Sequence, residues 1–477
     1  MFRKAVITGE IMKSWYVSVA AKIIIGLFLL SGCQSLDFSK NVKPVSDSAE
    51  KIFKAFKVKG KTDQSLELKK PLTEILSSAL ADGNKGSDFP SVFSFALGND
   101  PAITIQKQAV EAKLAAVATS KASKEYQVES AIYGGVEDLT DNTKGLALEI
   151  NASRLIFDGG LLDATLASKT FEAEAAKFTF EAVLNERAYN IGQIWIELEK
   201  YKMLQSQIDR RLAVLNPLIG QLEQVAEAGV GDVSKVTAAQ RTVSGIRVTQ
   251  TNISEGLAKA RLEFENAFGV IQSEISYEPD FIRNLIPNKV TDKSAKKSPL
   301  LLAKYASYNA ALANLKAIEA KDDFNIGFQA RALTPFAGNG YDSDESIGFV
   351  ARKTLFNGGM LESEVDGAKA ISESSLAEVG AAYRQGVSIV RSAQQTIESM
   401  DKAISLAREN AKVTSEEIVY LRQQLIIGGS TLDSVFSAEA RLYDAESKEI
   451  TFRANKRKAE LLISATLGLL SPAFDLK

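Results

Sequence analysis

Two stretches of the chain alternate apolar and polar side chains with a period of two. Between Leu146 and Ser153 every second residue is Leu, Leu, Ile or Ala, and the residues between them are Ala, Glu, Asn and Ser. A strand with one apolar and one polar face has this period. With the segments Tyr126–Val136, Phe324–Thr334 and Ser346–Phe356, the pattern predicts two β-hairpins, at residues 126–157 and 324–356.

The segments around the hairpins are long and contain few glycines or prolines, which predicts helices. Each hairpin is preceded by one helix and followed by a very long helix and a shorter returning helix. At 1.5 Å per residue the long helix measures about 100 Å, and the two shorter helices together measure about 90 Å. Stacked end to end beside the long helix, the two shorter helices would therefore form a second column of nearly the same height. Pro217 is expected to kink the first long helix. The predicted helices are Pro101 to about Ser123, Leu161–Glu227, Val233–Phe268, Pro299 to about Ala320, Leu361–Ile426 and Leu432–Leu467.

The same pattern occurs twice, 199 residues apart. Residues 154–163 return as residues 353–362, and the offset also carries Gly229 onto Gly428 and Gly269 onto Gly468. A fixed offset over this length indicates a duplicated unit. We therefore predict repeat 1 at 97–269, a linker at 270–297, repeat 2 at 298–468 and a C-terminal tail at 469–477, after an N-terminal extension at 33–96.

Paired glycines lie where each hairpin meets its long helix. Glycine suits a junction at which the backbone leaves extended geometry abruptly. No phosphate-binding glycine pattern follows either pair, so we assign them a structural role. The junction residues are Phe157, Gly159, Gly160, Phe356, Gly358 and Gly359.

Composition excludes several classes of function. The chain has no histidine and one cysteine, which removes Ser-His and Cys-His nucleophile pairs, histidine-ligated metals and disulfides. No carboxylate pair stands in a recognisable catalytic context. The net charge of −2 gives no reason to expect nucleic acid as a partner. We therefore predict a protein that is not an enzyme and carries no metal, with no cofactor other than a covalent lipid.

The lipid is predicted on Cys33. A short apolar run, Ile23–Leu30, follows Lys13 and Lys22, as in a secretory signal peptide. Residues 30–33, Leu-Ser-Gly-Cys, resemble a bacterial lipobox, so residues 1–32 are read as a lipoprotein signal peptide whose translation begins at Met1 or Met12. The alternative is an ordinary signal peptide with a chance cysteine. Gln34 after the cysteine favours the outer membrane under the lipoprotein sorting rule.

Four strands per chain cannot span a bilayer alone. Strands cross membranes only as closed barrels, because open edges leave backbone groups unpaired, and the smallest barrels have about eight strands. Several chains must therefore share one barrel, with their helical columns side by side.

The junctions and helix turns together resemble those of TolC-type outer-membrane factors, the outer-membrane efflux protein family. The resembling segments are residues 97–101, 157–160, 228–233, 356–359 and 427–433. The resemblance covers about residues 95–470. It implies a mostly α protein with a small transmembrane β part, in which a homotrimer forms a 12-strand β-barrel on a 12-helix α-barrel with a belt midway.

By the same resemblance, the periplasmic turns close the tunnel at rest and dock onto an adaptor protein. Several members carry acidic residues just past the second turn, but the aligned residues here are Ser434 and Ser437. Two interpretations of the nearest carboxylate, Asp433, stay open: it contributes to an acidic gate, or, as the helix dipole favours, it is the first-turn carboxylate of the returning helix. The candidate tip residues are Gly229, Gly231, Asp232, Gly428, Gly429, Asp433, Ser434 and Ser437.

The predicted function is a passive exit duct in the Gram-negative outer membrane, lipid-anchored and extending into the periplasm. Its partners would be outer-membrane lipid, a periplasmic adaptor and an inner-membrane transporter. The junction Ser153–Phe157 looks closer to members serving type I protein secretion with an ABC transporter. The alternatives are the outer-membrane component of a multidrug or RND efflux pump and, more remotely, a periplasmic coiled-coil structural lipoprotein.

Overall fold

The structure, a computed structural model, describes residues 89–138, 143–229, 233–269, 279–287, 290–338 and 340–473. Several predicted features lie outside these residues. They are the signal peptide at 1–32, Cys33, most of the extension at 33–96, the first part of the linker, Gly231, Asp232 and the end of the tail.

The described elements follow the predicted order in both repeats. Repeat 1 contains α2 (Pro101–Ala122), β1 (Gln127–Asp138), β2 (Thr143–Phe157), α3 (Leu161–Glu227) and α4 (Val233–Phe268). Repeat 2 contains α6 (Pro299–Glu319), β3 (Asn325–Gly338), β4 (Asp344–Arg352), α7 (Met360–Ile426) and α8 (Leu432–Thr466). Short helices α1 (Phe89–Gly98), α5 (Pro279–Leu285) and α9 (Leu470–Ala473) and two 3₁₀ turns (Asp292–Lys297 and Ala320–Asp322) complete the chain. None of the described helices combines the length and the apolar character that crossing a membrane requires.

The four strands form one sheet in the order β1-β2-β3-β4. β3 and β4 are antiparallel, and their register pairs Phe328 with Phe349 and Arg331 with Ser346. The last pair is Asn325 with Arg352, so β4 ends at Arg352 and the strand predicted to continue to Phe356 does not. The reason is that β3 begins at Asn325, so residues after Arg352 have no opposing strand.

By contact density the chain divides into two compact units. Of the described residues, the first holds 133–138, 143–147, 335–338 and 340–341. Within its described part, Gly145 lies so close to the backbone of Gly340 that an added Cβ would meet that nitrogen at 3.0 Å.

The second unit holds the other described residues, including the helices. In each repeat the long helix packs against both shorter helices, α3 against α2 and α4, and α7 against α6 and α8. The repeats also pack on each other, because α6 and α8 both contact α3. Helix α3 is continuous through Pro217.

The largest core cluster of the second unit surrounds Trp195 of α3. It contains Phe264 and Phe268 of α4 and residues from α1, α5, α8 and α9. The ring of Trp195 meets those of Phe264 and Phe268 edge-on, with centroids 5.2 and 5.1 Å apart. The short helices from the extension, the linker and the tail thus share one core midway along α3.

Helix α1 was not predicted from the sequence. Its apolar residues Val92, Phe93, Ala96 and Leu97 are buried and recur at helical spacing. The helix has only 10 residues, and it lies at the end of a segment whose mixed composition obscured the pattern.

Gly192, an apparent helix breaker in the sequence, marks a close approach between repeats. A Cβ at this position of α3 would lie 2.5 Å from Leu461 Cδ2 of α8. The missing side chain therefore allows α8 to pack directly on α3.

Candidate functional site

The first strand–helix junction is built around Asp158 and two left-handed glycines. Gly159 and Gly160 have φ values of 64° and 89°, which side chains other than glycine adopt rarely. The buried Asp158 carboxylate accepts hydrogen bonds from Gly160 N at 3.0 Å and Leu162 N at 2.6 Å. It thereby pairs free amides at the positive end of α3. This role of Asp158 was not predicted, although an acidic residue just before a long helix indicates it.

The first junction also meets the second hairpin. A Cβ at Gly159 would collide with the side chain of Asp323, which lies two residues before β3. Gly159 is therefore required both for its backbone angle and for this contact between repeats.

The second junction repeats the backbone but not the carboxylate. Gly358 and Gly359 have φ values of 67° and 81°, and Gly359 is the N-cap of α7. Asn357 stands in place of Asp158, so the second junction lacks the negative charge that accepts from the free amides of α3. Phe157, in β2, and Phe356 are both exposed, Phe356 more so.

The turn between α7 and α8 is a hydrogen-bonded helix stop. Gly428 has φ 77°, and its N–H donates to Leu425 O, while Gly429 N–H donates to Gln424 O at 2.8 Å. These two bonds form a Schellman motif. Gly229 has φ 73° at the corresponding end of α3, whose turn is only partly described.

Helix α8 begins with a conventional cap. The Thr431 hydroxyl accepts from Ser434 N at 3.2 Å and contacts the Ser434 hydroxyl at 2.9 Å. Asp433 lies in the first turn, where its charge faces the positive helix end, and Ser437 is exposed. The structure thus gives Asp433 and Ser434 roles in starting the helix.

The strongest charge constellation near this turn was not predicted. Glu439 of α8 is 3% exposed and contacts two arginines. Arg422 of α7 donates to its Oε1 at 2.9 Å, and Arg211 of α3 forms an ion pair with its Oε2. Arg211 also donates to Glu446 at 3.1 Å. Glu439 therefore ties α8 both to its own repeat and to repeat 1; we call Arg211, Arg422, Glu439 and Glu446 the tip cluster.

Gln207 extends the tip cluster by one helical turn. Its amide nitrogen donates to Glu446 at 3.1 Å and to Tyr443 O at 3.3 Å. Its amide oxygen accepts from the Ser447 hydroxyl at 3.1 Å. The contact between α3 and α8 is therefore polar over two turns of α8.

Two contacts between paired helices occur at equivalent positions in both repeats. Glu223 and Gln240 bond at 2.7 Å in repeat 1, and the positions 199 residues later are Arg422 and Glu439. Likewise Asp209 and Gln250 bond at 2.7 Å, and their equivalents are Arg408 and Glu449, 2.5 Å apart. The duplication thus preserved the positions of these links, while repeat 2 made both of them ion pairs.

A separate ionic contact fastens the linker to α7. Arg391 donates to both carboxylate oxygens of Asp292, to Oδ1 at 2.8 Å. Hydrogen bonding to Arg391 holds the pKa of Asp292 below its ordinary value. Gln394 of α7 also donates to Val290 O at 3.0 Å.

The polar face of the sheet carries its own charge group. Arg331 of β3 donates to Glu149 of β2 at 2.9 Å and lies 3.5 Å from Asp344 of β4. In the described part of the chain, no cluster of three or more potential metal ligands occurs.

The comparisons with known proteins agree with this architecture. Residues 290–469 match the family described as outer membrane efflux protein. No curated protein matches the sequence.

Solved structures of outer-membrane channels share the fold across most of the chain. CusC, studied for folding and transmembrane channel formation, is 16% identical with a TM-score of 0.70, covering 79% of this chain and 91% of its own. The outer membrane protein VceC of Vibrio cholerae is 15% identical with a TM-score of 0.69, covering 79% and 95%. The outer membrane channel CmeC of Campylobacter jejuni is 11% identical with a TM-score of 0.65, covering 91% and 90%.

The predicted fold class, mostly helical with a small β part, is confirmed by these matches, and neither the family nor these neighbours are enzymes. The resemblance to TolC-type outer-membrane factors is likewise confirmed: residues 290–469 match the outer membrane efflux protein family, and the chain has the fold of outer-membrane channels.

Proposed function

We propose that this protein is the outer-membrane exit channel of a tripartite export system. The observation that carries the proposal is the duplicated unit in which a β-hairpin continues through a glycine junction into a helix of 67 residues. The two hairpins form one sheet with an apolar face and a charged face. Such a sheet suits a wall between lipid and a water-filled lumen.

The channel would be a homotrimer. In the described sheet β1 and β4 are the edge strands, and each can pair with a strand of another copy. Three copies would supply the twelve strands of one closed barrel. Apolar side chains along α7 support the same arrangement, because Leu376, Leu406, Val413 and Tyr420 are exposed in the single chain.

The tip cluster is proposed to hold the periplasmic end closed. Glu439 fixes α8 to α3 and α7 within about 15 Å of the turn at Gly428. Removing one partner of a buried ion pair costs about 3–5 kcal/mol, so the cluster favours one arrangement of the two helix pairs. An adaptor protein that separated them would have to offset this energy.

The transporter that drives export is proposed in two alternatives. The junction Ser153–Phe157 favours type I protein secretion with an ABC transporter and an adaptor. The family description as efflux protein and the lipobox before Cys33 favour a multidrug or RND pump. Co-purification of the tagged channel after cross-linking in its native cells, followed by mass spectrometry, distinguishes an ABC from an RND partner.

A lipid on Cys33 is proposed to anchor each copy in the outer membrane. The proposal is supported by Leu30-Ser31-Gly32-Cys33 after the apolar run. Mass spectrometry of the mature N-terminus should detect an acylated cysteine. An unmodified Cys33 within a longer mature chain would refute this anchor.

Channel formation is tested with the purified protein. We expect a native mass three times that of the chain and discrete conductance steps in planar lipid bilayers. A monomer that does not enter bilayers would support the alternative of a periplasmic coiled-coil lipoprotein.

A further inference from the structure

One face of the sheet is apolar and uncovered. Phe349 and Ile347 of β4 are 73% and 77% exposed, and both point to the same side because alternate residues of a strand do. Phe328 lies opposite Phe349 in the register, with the ring centroids 5.9 Å apart. Under the proposed function this face contacts lipid.

An aromatic row crosses this face near the glycine junctions. The ring of Tyr126, just before β1, meets that of Phe328 edge-on at 6.4 Å, and Phe328 in turn meets Phe349. Aromatic rows of this kind lie at the level of the lipid headgroups in membrane barrels.

Two cationic side chains lie on the same face of the sheet as these aromatic rings. The guanidinium of Arg154, from β2, is 4.9 Å from the ring centroid of Tyr126. The ammonium of Lys353, directly after β4, is 5.4 Å from that of Phe324. Arg154 and Lys353 are equivalent positions in the two repeats, 199 residues apart. Each hairpin therefore carries one cation over an aromatic ring at its base.

Neither cation is well neutralised by the protein. Among the described residues Arg154 forms no ion pair, and its one hydrogen bond runs from Nε to Lys124 O at 3.4 Å. Lys353 lies 4.0 Å from a carboxylate oxygen of Asp322, which is itself largely exposed. The terminal nitrogens of Arg154 and two or more donors of Lys353 remain available to an anion.

We propose that Arg154 and Lys353 bind the phosphate groups of anionic phospholipids in the periplasmic leaflet of the outer membrane. This inference rests on the proposed function, which places the helices in the periplasm and the apolar face in lipid. The aromatic rings would lie at the boundary between the acyl chains and the headgroups. The two cations would form charge-assisted hydrogen bonds with the negatively charged phosphate diester. A trimer would carry six such sites, two for each chain.

The test compares lipids with and without net charge. Purified trimer is reconstituted into nanodiscs of phosphatidylcholine containing increasing amounts of phosphatidylglycerol, and lipid retained by the protein is counted by native mass spectrometry. We expect wild type to retain phosphatidylglycerol in preference to phosphatidylcholine. The double variant Arg154→Gln/Lys353→Gln should lose that preference, by about fivefold for each cation removed.

Arg352→Gln is the matched control. Arg352 neighbours Lys353 but lies on the opposite, polar face, so this variant should keep the preference. Equal retention of both lipids by wild type, or an unchanged preference in the double variant, would overturn the inference while leaving the channel intact. Failure of wild type itself to enter the bilayer would instead overturn the proposed function, and this inference with it.

Discussion

At the scale of single residues, two buried glutamates of α8 differ in the cations that surround them. Glu439 contacts two arginines. Among the described residues, the cation that forms an ion pair with Glu460 is Lys456, at 3.7 Å, and that ammonium lies closer to Asp401, at 2.6 Å. Burial therefore raises the pKa of Glu460 above its ordinary value of 4.5, because Lys456, Arg283 and Arg457 offset it incompletely.

Glu460→Gln is expected to stabilise the folded protein at pH 7. A carboxyl whose pKa is higher in the folded than in the unfolded protein contributes most to the free energy of unfolding at a pH below its unfolded pKa, where it is protonated. That contribution is lost as the pH rises through the folded pKa. The thermal midpoint of the variant should therefore exceed that of wild type at pH 7, and the difference should shrink below about pH 4.5.

The control is Glu398→Gln, which removes an exposed glutamate of α7. It should leave the midpoint nearly unchanged at both pH values. A Glu460→Gln variant that is less stable than wild type at pH 7 would mean that the charged carboxylate stabilises the fold.

At the scale of elements, periodicity predicted most boundaries. The first long helix and its returning helix begin and end where the sequence placed them, because glycine turns interrupt otherwise unbroken helical segments. The end of β4 was wrong because it depends on where β3 begins. Helix α1 was missed because its ten residues offer fewer than three turns of periodicity.

The alternation in β2 makes a direct prediction about its two faces. Leu148 belongs to the apolar side, and Asn151 shares the opposite side with Glu149, which bonds Arg331. Leu148→Arg should impair membrane insertion, at a cost of about 2–4 kcal/mol near the bilayer midplane. The measurement is the fraction of protein recovered as trimer in outer membranes.

Asn151→Arg is the matched control, because it adds the same charge to the polar face. It should insert like wild type. Equal insertion of Leu148→Arg would show that this side of β2 does not face lipid.

At the scale of the whole molecule, the repeat explains why the sequence predicted the architecture but not the tip cluster. Long helices and hairpins follow from local spacing, and the offset shows that they occur twice. Arg211 and Glu439 are 228 residues apart and belong to different repeats. Their repeat equivalents, Asn410 and Gln240, are uncharged, so neither periodicity nor duplication indicates the pair.

The same asymmetry gives the two repeats different links. Equivalent contacts are acid–amide bonds in repeat 1 and ion pairs in repeat 2, at Arg422–Glu439 and Arg408–Glu449. Because only repeat 2 places a buried acid where α3 can reach it, closure of the tip is proposed to depend on that one carboxylate.

Single-channel conductance of Glu439→Gln in planar bilayers tests this account most directly. Wild type should show small steps, and the variant should conduct several-fold more, since Arg211 and Arg422 would no longer share a counter-charge. Asp444→Asn removes an exposed carboxylate whose one ion-pair partner among the described residues is Lys448 of the same helix, and it should conduct like wild type. Bilayers that hold inserted trimer yet show no conductance with either wild type or Glu439→Gln would contradict the proposal that this protein is a channel.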